Sequence, residues 1–205
     1  MNAQVLHVPS TTRGGILDAT MRGPLELAEM FSALLDSDNV SYILSAELGI
    51  LRTNAAWERF ARANGGEQLL ERWRRGSSLL EILPEALRAY YVAGFQRASE
   101  LAEPWEHDYE CSSPTVHRTF RMIAYPFGGS FVVTHALLAT TPHPGEVLPP
   151  SASYEHEGIV VMCAHCRRVR HSIEPERWDW VPAYLSAENV SHGLCTPCYR
   201  YYYGT

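Results

Sequence analysis

Four cysteines near the end of the chain form two pairs with the spacing of metal ligands. Two residues separate Cys163 from Cys166, two separate Cys195 from Cys198, and 28 residues lie between the pairs. Two tight turns of this kind can aim four sulfurs at one ion, with Zn–S bonds of about 2.3 Å. The gap is longer than the common spacing of about 15–20 residues, so we expect it to have structure of its own. The sequence therefore predicts a structural Cys₄ zinc site.

Redox chemistry is the alternative use of the same four cysteines. A Cys-x-x-Cys pair also resembles the dithiol of an oxidoreductase, although no βαβ pattern surrounds either pair here. Disulfides within a pair would close small, strained loops. A thiophilic metal other than zinc is a further alternative for this site. Because four thiolates fill a tetrahedron, we expect no open position for catalysis at a zinc ion.

Two histidines of the same region are candidates for hydrogen bonds around the metal. His165 lies inside the first pair, and His192 lies just before the second. Residues around a metal site often orient its ligands in this way. The remaining cysteine, Cys111, alternates with Tyr109 along a predicted strand, so we expect it to be a small buried apolar residue.

Composition restricts the class of protein. The 205 residues suffice for one ordinary domain and a smaller one. A formal net charge of −6 disfavours nucleic-acid binding. No segment approaches the roughly 18 apolar residues of a membrane span, and residues 1–15 lack the features of a signal peptide. With paired cysteines and no sign of secretion, we expect a cytoplasmic protein that does not bind membranes.

Hydrophobic periodicity predicts an α+β order before the cysteines. Asn54 is a predicted N-cap, and Pro84 a predicted first residue of a long helix. The predicted helices are 24–36, 55–64, a short patch at 69–73, and 84–103. The predicted strands are 40–46, 50–53, 105–111, 116–125 and 130–138.

Residues 39–138 resemble a PAS domain. The marks are the hairpin at 42–53, the helix opened by Asn54, the segment 76–83, and a long helix before three strands. The resemblance implies a five-stranded antiparallel sheet with helices on one face. It also implies sensing, through a small molecule held between the helices and the sheet or through dimerisation. The candidate pocket residues are Tyr91, Phe95, His107, Tyr109, Phe120 and His135.

Neither flavin nor haem is expected in this pocket. No cysteine lies in a predicted PAS helix, which argues against covalent flavin photochemistry. Helix 84–103 has no histidine, so haem iron would use His107 or His135 on the strands, or Tyr90 or Tyr91 of the helix, which we expect to be core residues. Both histidines alternate with aromatic residues on strands, and we expect both to be core residues. The sequence does not identify the ligand of the pocket.

A second resemblance covers about residues 158–203. Its marks are 163–170, Trp178, Tyr184, Leu185 and 191–198, which look like the small cysteine-rich tail found after sensory domains in bacterial signalling proteins. The predicted organisation is a flexible leader at 1–22, a PAS-like domain with an N-terminal helix at 23–138, a proline-rich linker at 139–156, and a Cys₄ zinc tail at 157–205.

Together these features predict a bacterial signal-transduction protein. The PAS-like domain would sense or dimerise, and the zinc tail would act by contact with an unidentified signalling protein. The apolar stripe of helix 24–36 favours a homodimer. No Gly-rich phosphate loop, nucleophile elbow or kinase signature occurs, so we expect no enzymatic activity. A thiol/disulfide switch or oxidoreductase remains the alternative.

Overall fold

A computed structural model describes residues 32–34, 36–64, 66–112, 116–142 and 147–204. The predicted leader and most of the predicted helix 24–36 lie outside these residues. Within the part of the chain that is described, no helix is long and apolar enough to cross a membrane.

The first five strands form one antiparallel sheet, with the order β2-β1-β5-β4-β3. This sheet, with helices between β2 and β3, confirms the predicted PAS-like architecture. Strand β5 ends three residues later than predicted and extends into the segment interpreted as a linker. The strands are β1 (Val40–Ser45), β2 (Ile50–Thr53), β3 (Trp105–Glu110), β4 (His117–Phe127) and β5 (Ser130–Thr141).

Four helices connect β2 to β3. They are α1 (Ala55–Ala63), α2 (Glu67–Arg72), α3 (Leu79–Ile82) and α4 (Glu85–Leu101). The predicted N-cap of α1 is confirmed, since Asn54 Oδ1 accepts hydrogen bonds from the N–H groups of Trp57 (3.0 Å) and Ser41 (3.1 Å). One buried side chain thus ties the start of α1 to strand β1.

The main core lies between one face of this sheet and the helices. Phe95 of α4 is buried against Phe131 of β5 and Trp105 of β3, with ring centroids 4.9 Å and 5.1 Å away. A Cβ on Gly94 would lie 2.2 Å from the indole of Trp105. Glycine at this position therefore lets α4 approach β3 closely.

The C-terminal region folds around a second, smaller sheet. Its strands are β6 (Glu155–His156), β7 (Ile159–Cys163), β8 (Val169–Arg170), β9 (Trp178–Asp179) and β10 (Val190–Gly193). Two 3-10 helices, Ala152–Tyr154 and Pro182–Ser186, and a final helix α5 (Thr196–Tyr203) complete it. The 28 residues between the cysteine pairs thus have structure of their own, as the long gap indicated. A small core of this region is formed by six buried residues that pack together: Tyr154, Val160, Met162, Val169, Val181 and Tyr184.

Candidate metal centre

The first cysteine pair lies in the turn between β7 and β8. Cys163 ends β7, and its N–H donates to the carbonyl of Arg168 at 2.8 Å. The N–H of Arg167 donates back to the carbonyl of Cys163 at 3.1 Å, and Arg167 has a left-handed φ of 60°. This reversal brings Cys166 back beside Cys163.

The second pair lies at the start of helix α5. Cys195 is the N-cap residue, and Cys198 follows in the first turn. The N–H of Cys195 points to the sulfur of Cys163, at 3.5 Å. Unpaired N–H groups and the helix dipole favour negative charge at this end, so the helix stabilises thiolates there.

The four sulfurs converge on one point. All four side chains are buried, and their sulfurs lie within 4.8 Å of one another. The sulfurs of Cys166 and Cys195 are 3.7 Å apart, and a tetrahedral zinc–thiolate site needs about 3.8 Å. Hydrogen bonds from the other three thiols lower the pKa of Cys163, whereas donating to Cys163 raises the pKa of Cys166 and Cys198, so the cluster by itself places its negative charge on Cys163. The structure therefore brings the four predicted ligands into a group that can hold a metal ion.

The two nearby histidines have different surroundings. The Nδ1 atom of His165 lies 2.6 Å from the hydroxyl of Tyr202 on helix α5. His192 lies on β10 beside Met162 of β7, with an exposed side chain. His165 thus connects the first cysteine turn to helix α5, which carries the fourth cysteine.

The contact of His165 continues into the PAS-like domain. The hydroxyl of Tyr202 is 3.3 Å from Nε2 of His107 on β3, and Nδ1 of His107 is 3.3 Å from the hydroxyl of Tyr90 on α4. We call this series His165–Tyr202–His107–Tyr90 the interdomain hydrogen-bond chain. Burial lowers the pKa of His107 to about 4, so its ring is neutral at pH 7.

Helix α5 makes further contacts with the same surface. The hydroxyl of Tyr201 donates to the carbonyl of Asp108 at 3.3 Å, and that of Tyr203 to the carbonyl of Ala86 at 2.5 Å. Ala164 and Tyr202 belong to the buried cluster of the first domain. Tyr202 thus packs both beside the first cysteine turn and on the PAS-like domain.

The six candidate pocket residues all lie on the inner face of the first sheet or on α4. Tyr91, Phe95, His107 and Phe120 are buried. Both ring nitrogens of His135 face phenols, with Tyr109 at 2.7 Å and Tyr42 at 3.1 Å. The ring nitrogens of both His107 and His135 therefore face tyrosine hydroxyls, and an iron ion would have to displace a hydrogen bond at either histidine.

Sequence reasoning missed three tyrosines of this arrangement as partners. They are Tyr42, Tyr90 and Tyr202, and each bonds a histidine that the sequence did single out. Tyr42 lies on β1 and pairs with Val133 of β5, so it shares the inner face with His135. The alternation along β1 is the signal that could have placed it there.

The sheet order and its helices define a PAS-like fold. Several solved structures are similar to about half of this chain. The PAS domain of BvgS from Bordetella pertussis is 17% identical to this chain, with a TM-score of 0.43. The match covers 56% of this chain and 88% of the BvgS domain. A sensor histidine kinase/response regulator domain from Geobacter sulfurreducens is 14% identical, with a TM-score of 0.38 and coverages of 56% and 96%. The PAS domain of an HTR-like protein from Haloarcula marismortui is 16% identical, with a TM-score of 0.35, and the match covers 56% of this chain and 99% of that domain. No protein-family model and no curated protein matches the sequence.

Proposed function

We propose that this protein is a bacterial, cytoplasmic signalling protein without catalytic activity of its own. A PAS-like domain receives or transmits the signal, and a zinc-bound tail reports its state by contact with another signalling protein. The observation that carries the proposal is the interdomain hydrogen-bond chain, because it joins the first cysteine turn to the centre of β3.

Zinc is the metal that suits this site best. The cluster offers four buried cysteines and no carboxylate, and a tetrahedral set of four thiolates is typical of structural zinc. The ion would join the β7–β8 turn to the start of α5, since each element supplies two sulfurs. Metal binding then becomes part of the folding free energy of the tail.

The position of α5 explains how the metal would affect the first domain. Cys198 and Tyr202 lie four residues apart on this one helix, so they occupy neighbouring turns of the same face. Orienting the sulfur of Cys198 therefore also orients the hydroxyl of Tyr202 towards His107. Without the metal, α5 would lose its fixed position, and the surface formed by Tyr90 and His107 would become accessible to a partner.

Hydrogen exchange of the full-length protein tests this coupling. Removing the metal with a chelator should increase exchange in β3 and α4, where α5 packs, and leave β1 and β2 unchanged. Tyr202→Ala should produce the same increase in the metal-loaded protein. Tyr199→Ala is the matched control, because Tyr199 is exposed and its ring contacts Tyr203 of the same helix.

Equal exchange in β3 and α4 with and without metal would refute the proposed communication. An increase in the Tyr199→Ala variant as large as in Tyr202→Ala would also count against it, since the effect would then be general loosening of the helix.

A further inference from the structure

A cavity of about 440 Å³ lies between helix α1 and the first sheet of the PAS-like domain. Helix α1 forms one wall, and the ends of β1, β4 and β5 form the other. Much of the lining is apolar, with Phe60 from the helix and Phe120 and Leu137 from the sheet. The rings of Phe60 and Phe120 meet edge to face, with centroids 5.7 Å apart. Its size falls in the range of small-molecule sites.

Arg118, which lines the cavity from β4, has no acidic partner among the described residues. Arg118 is partly buried, and its Nη1 donates to Asn64 Oδ1 at 2.8 Å. Among the described residues, no carboxylate lies within 4 Å of its guanidinium. The other arginine of the lining, Arg59, is paired with Asp38 at 3.1 Å. The wall therefore has an excess positive charge at Arg118.

The hydrogen bond to Asn64 gives Arg118 a structural role, but it uses only part of the guanidinium. Asn64 follows the last residue of α1, and its amide donates to the carbonyl of Phe60 at 2.8 Å. Arg118 thus fixes the end of this helix with one donor of five. The remaining donors suit a bidentate contact with a planar anion.

The wall beside Arg118 has a neutral histidine. His135 lines the cavity, and burial lowers its pKa to about 3. Its nitrogens are occupied by Tyr109 and Tyr42, so it offers the cavity a ring edge and no charge. The site thus combines one cation with an apolar interior.

We propose that this cavity binds a small monocarboxylate with an aromatic or branched aliphatic body. The carboxylate lies on the guanidinium of Arg118, and the body packs against the apolar lining formed by Phe60, Phe120 and Leu137. The site involves other residues than the tail contact and does not depend on the metal. A ligand at this site would be the signal that the PAS-like domain senses, which the proposed function does not name.

Calorimetric titration of the metal-loaded, full-length protein tests the site with phenylacetate as the probe and phenylacetamide as its uncharged counterpart. Phenylacetate should bind about tenfold or more tightly than the amide, because the amide cannot form the charged bidentate contact. Arg118→Gln should remove this preference. The control Arg52→Gln, on β2 and outside the cavity lining, should leave it unchanged.

A second variant tests the position of the ligand without changing Arg118. Ala63 lines the cavity and is exposed, so Ala63→Phe should occupy the mouth and abolish binding with little cost to the core. Absence of phenylacetate binding at millimolar concentration would overturn the proposal. Equal affinity for the amide, or binding unaffected by Arg118→Gln and Ala63→Phe, would do so as well.

Discussion

Two histidines of the inner sheet face, His107 and His135, each have both ring nitrogens next to tyrosine hydroxyls. Burial lowers the pKa of both side chains, to about 4 and about 3. Each ring is therefore neutral at pH 7, and accepts one hydrogen bond while donating another. The histidines act here as polar core residues with fixed partners.

The pKa of His135 predicts how stability depends on pH. In the unfolded chain this side chain takes up a proton near pH 6.5, whereas in the folded protein it does so only near pH 3. As pH falls below about 6.5 the unfolded state binds more protons, so the free energy of unfolding decreases, with the loss complete near pH 3. At pH 5 we expect His135 to account for up to about 2 kcal/mol of the decrease.

Denaturant unfolding at pH 7 and pH 5 checks this expectation. His135→Gln keeps a donor and an acceptor for Tyr109 and Tyr42 but cannot be protonated, so it should lose less stability between the two pH values than the wild type. His156→Gln, at an exposed site on β6, should behave like the wild type. An identical pH dependence in His135→Gln would show that this histidine does not titrate as described.

At the scale of elements, β3 is the strand on which both helix α4 and helix α5 pack. Helix α4 packs on it through Gly94 and Trp105, and helix α5 reaches it through Tyr202 and His107. The ring of Tyr90 on α4 lies 5.7 Å from Trp105 and 4.8 Å from Tyr202. The position of α5 therefore depends on the close approach of α4 to β3.

Substitution of Gly94 tests this packing. Alanine in place of glycine favours an exposed helix by up to about 1 kcal/mol. Here the new methyl group would overlap Trp105, so we expect Gly94→Ala to destabilise the protein by about 1–3 kcal/mol. In a Trp105→Leu background the same change should cost less, because the overlapping ring is absent. Stabilisation by Gly94→Ala in the wild type would contradict the close contact.

The sequence was sufficient to predict the elements whose pattern is local. Alternation in β3 and the capping by Asn54 follow from neighbouring residues, and both agree with the structure. The four ligands were predictable because pair spacing carries the geometry of the turn. Strands of two residues, such as β8 and β9, have no detectable period. The contact between Tyr202 and His107 spans 95 residues, and no local pattern encodes it.

At the scale of the whole molecule, the tail and the PAS-like domain share a buried cluster. Ala164 and Tyr202 pack with residues of α4 and the first sheet, while the tail also has a small core of its own. Loss of the metal should therefore unfold the cysteine turns and also loosen β3 and α4 of the PAS-like domain, which lose part of their cover.

Self-association is expected through the predicted helix 24–36. We expect a homodimer at micromolar concentration, because the apolar stripe of this helix needs a partner surface. Light scattering should give twice the 23.1 kDa mass of one chain. Deletion of residues 1–36 should return it to the monomer. A monomer mass for the full-length chain would remove this expectation.

The metal content of the purified, reduced protein tests the central claim most directly. Elemental analysis should find one zinc per chain in the wild type, because Cys163, Cys166, Cys195 and Cys198 supply four converging sulfurs. Cys198→Ser should lose the zinc, whereas Cys111→Ser, at the cysteine outside the cluster, should retain it. Absence of metal from reduced wild-type protein whose tail is still protected from protease would contradict the account and favour a thiol/disulfide switch.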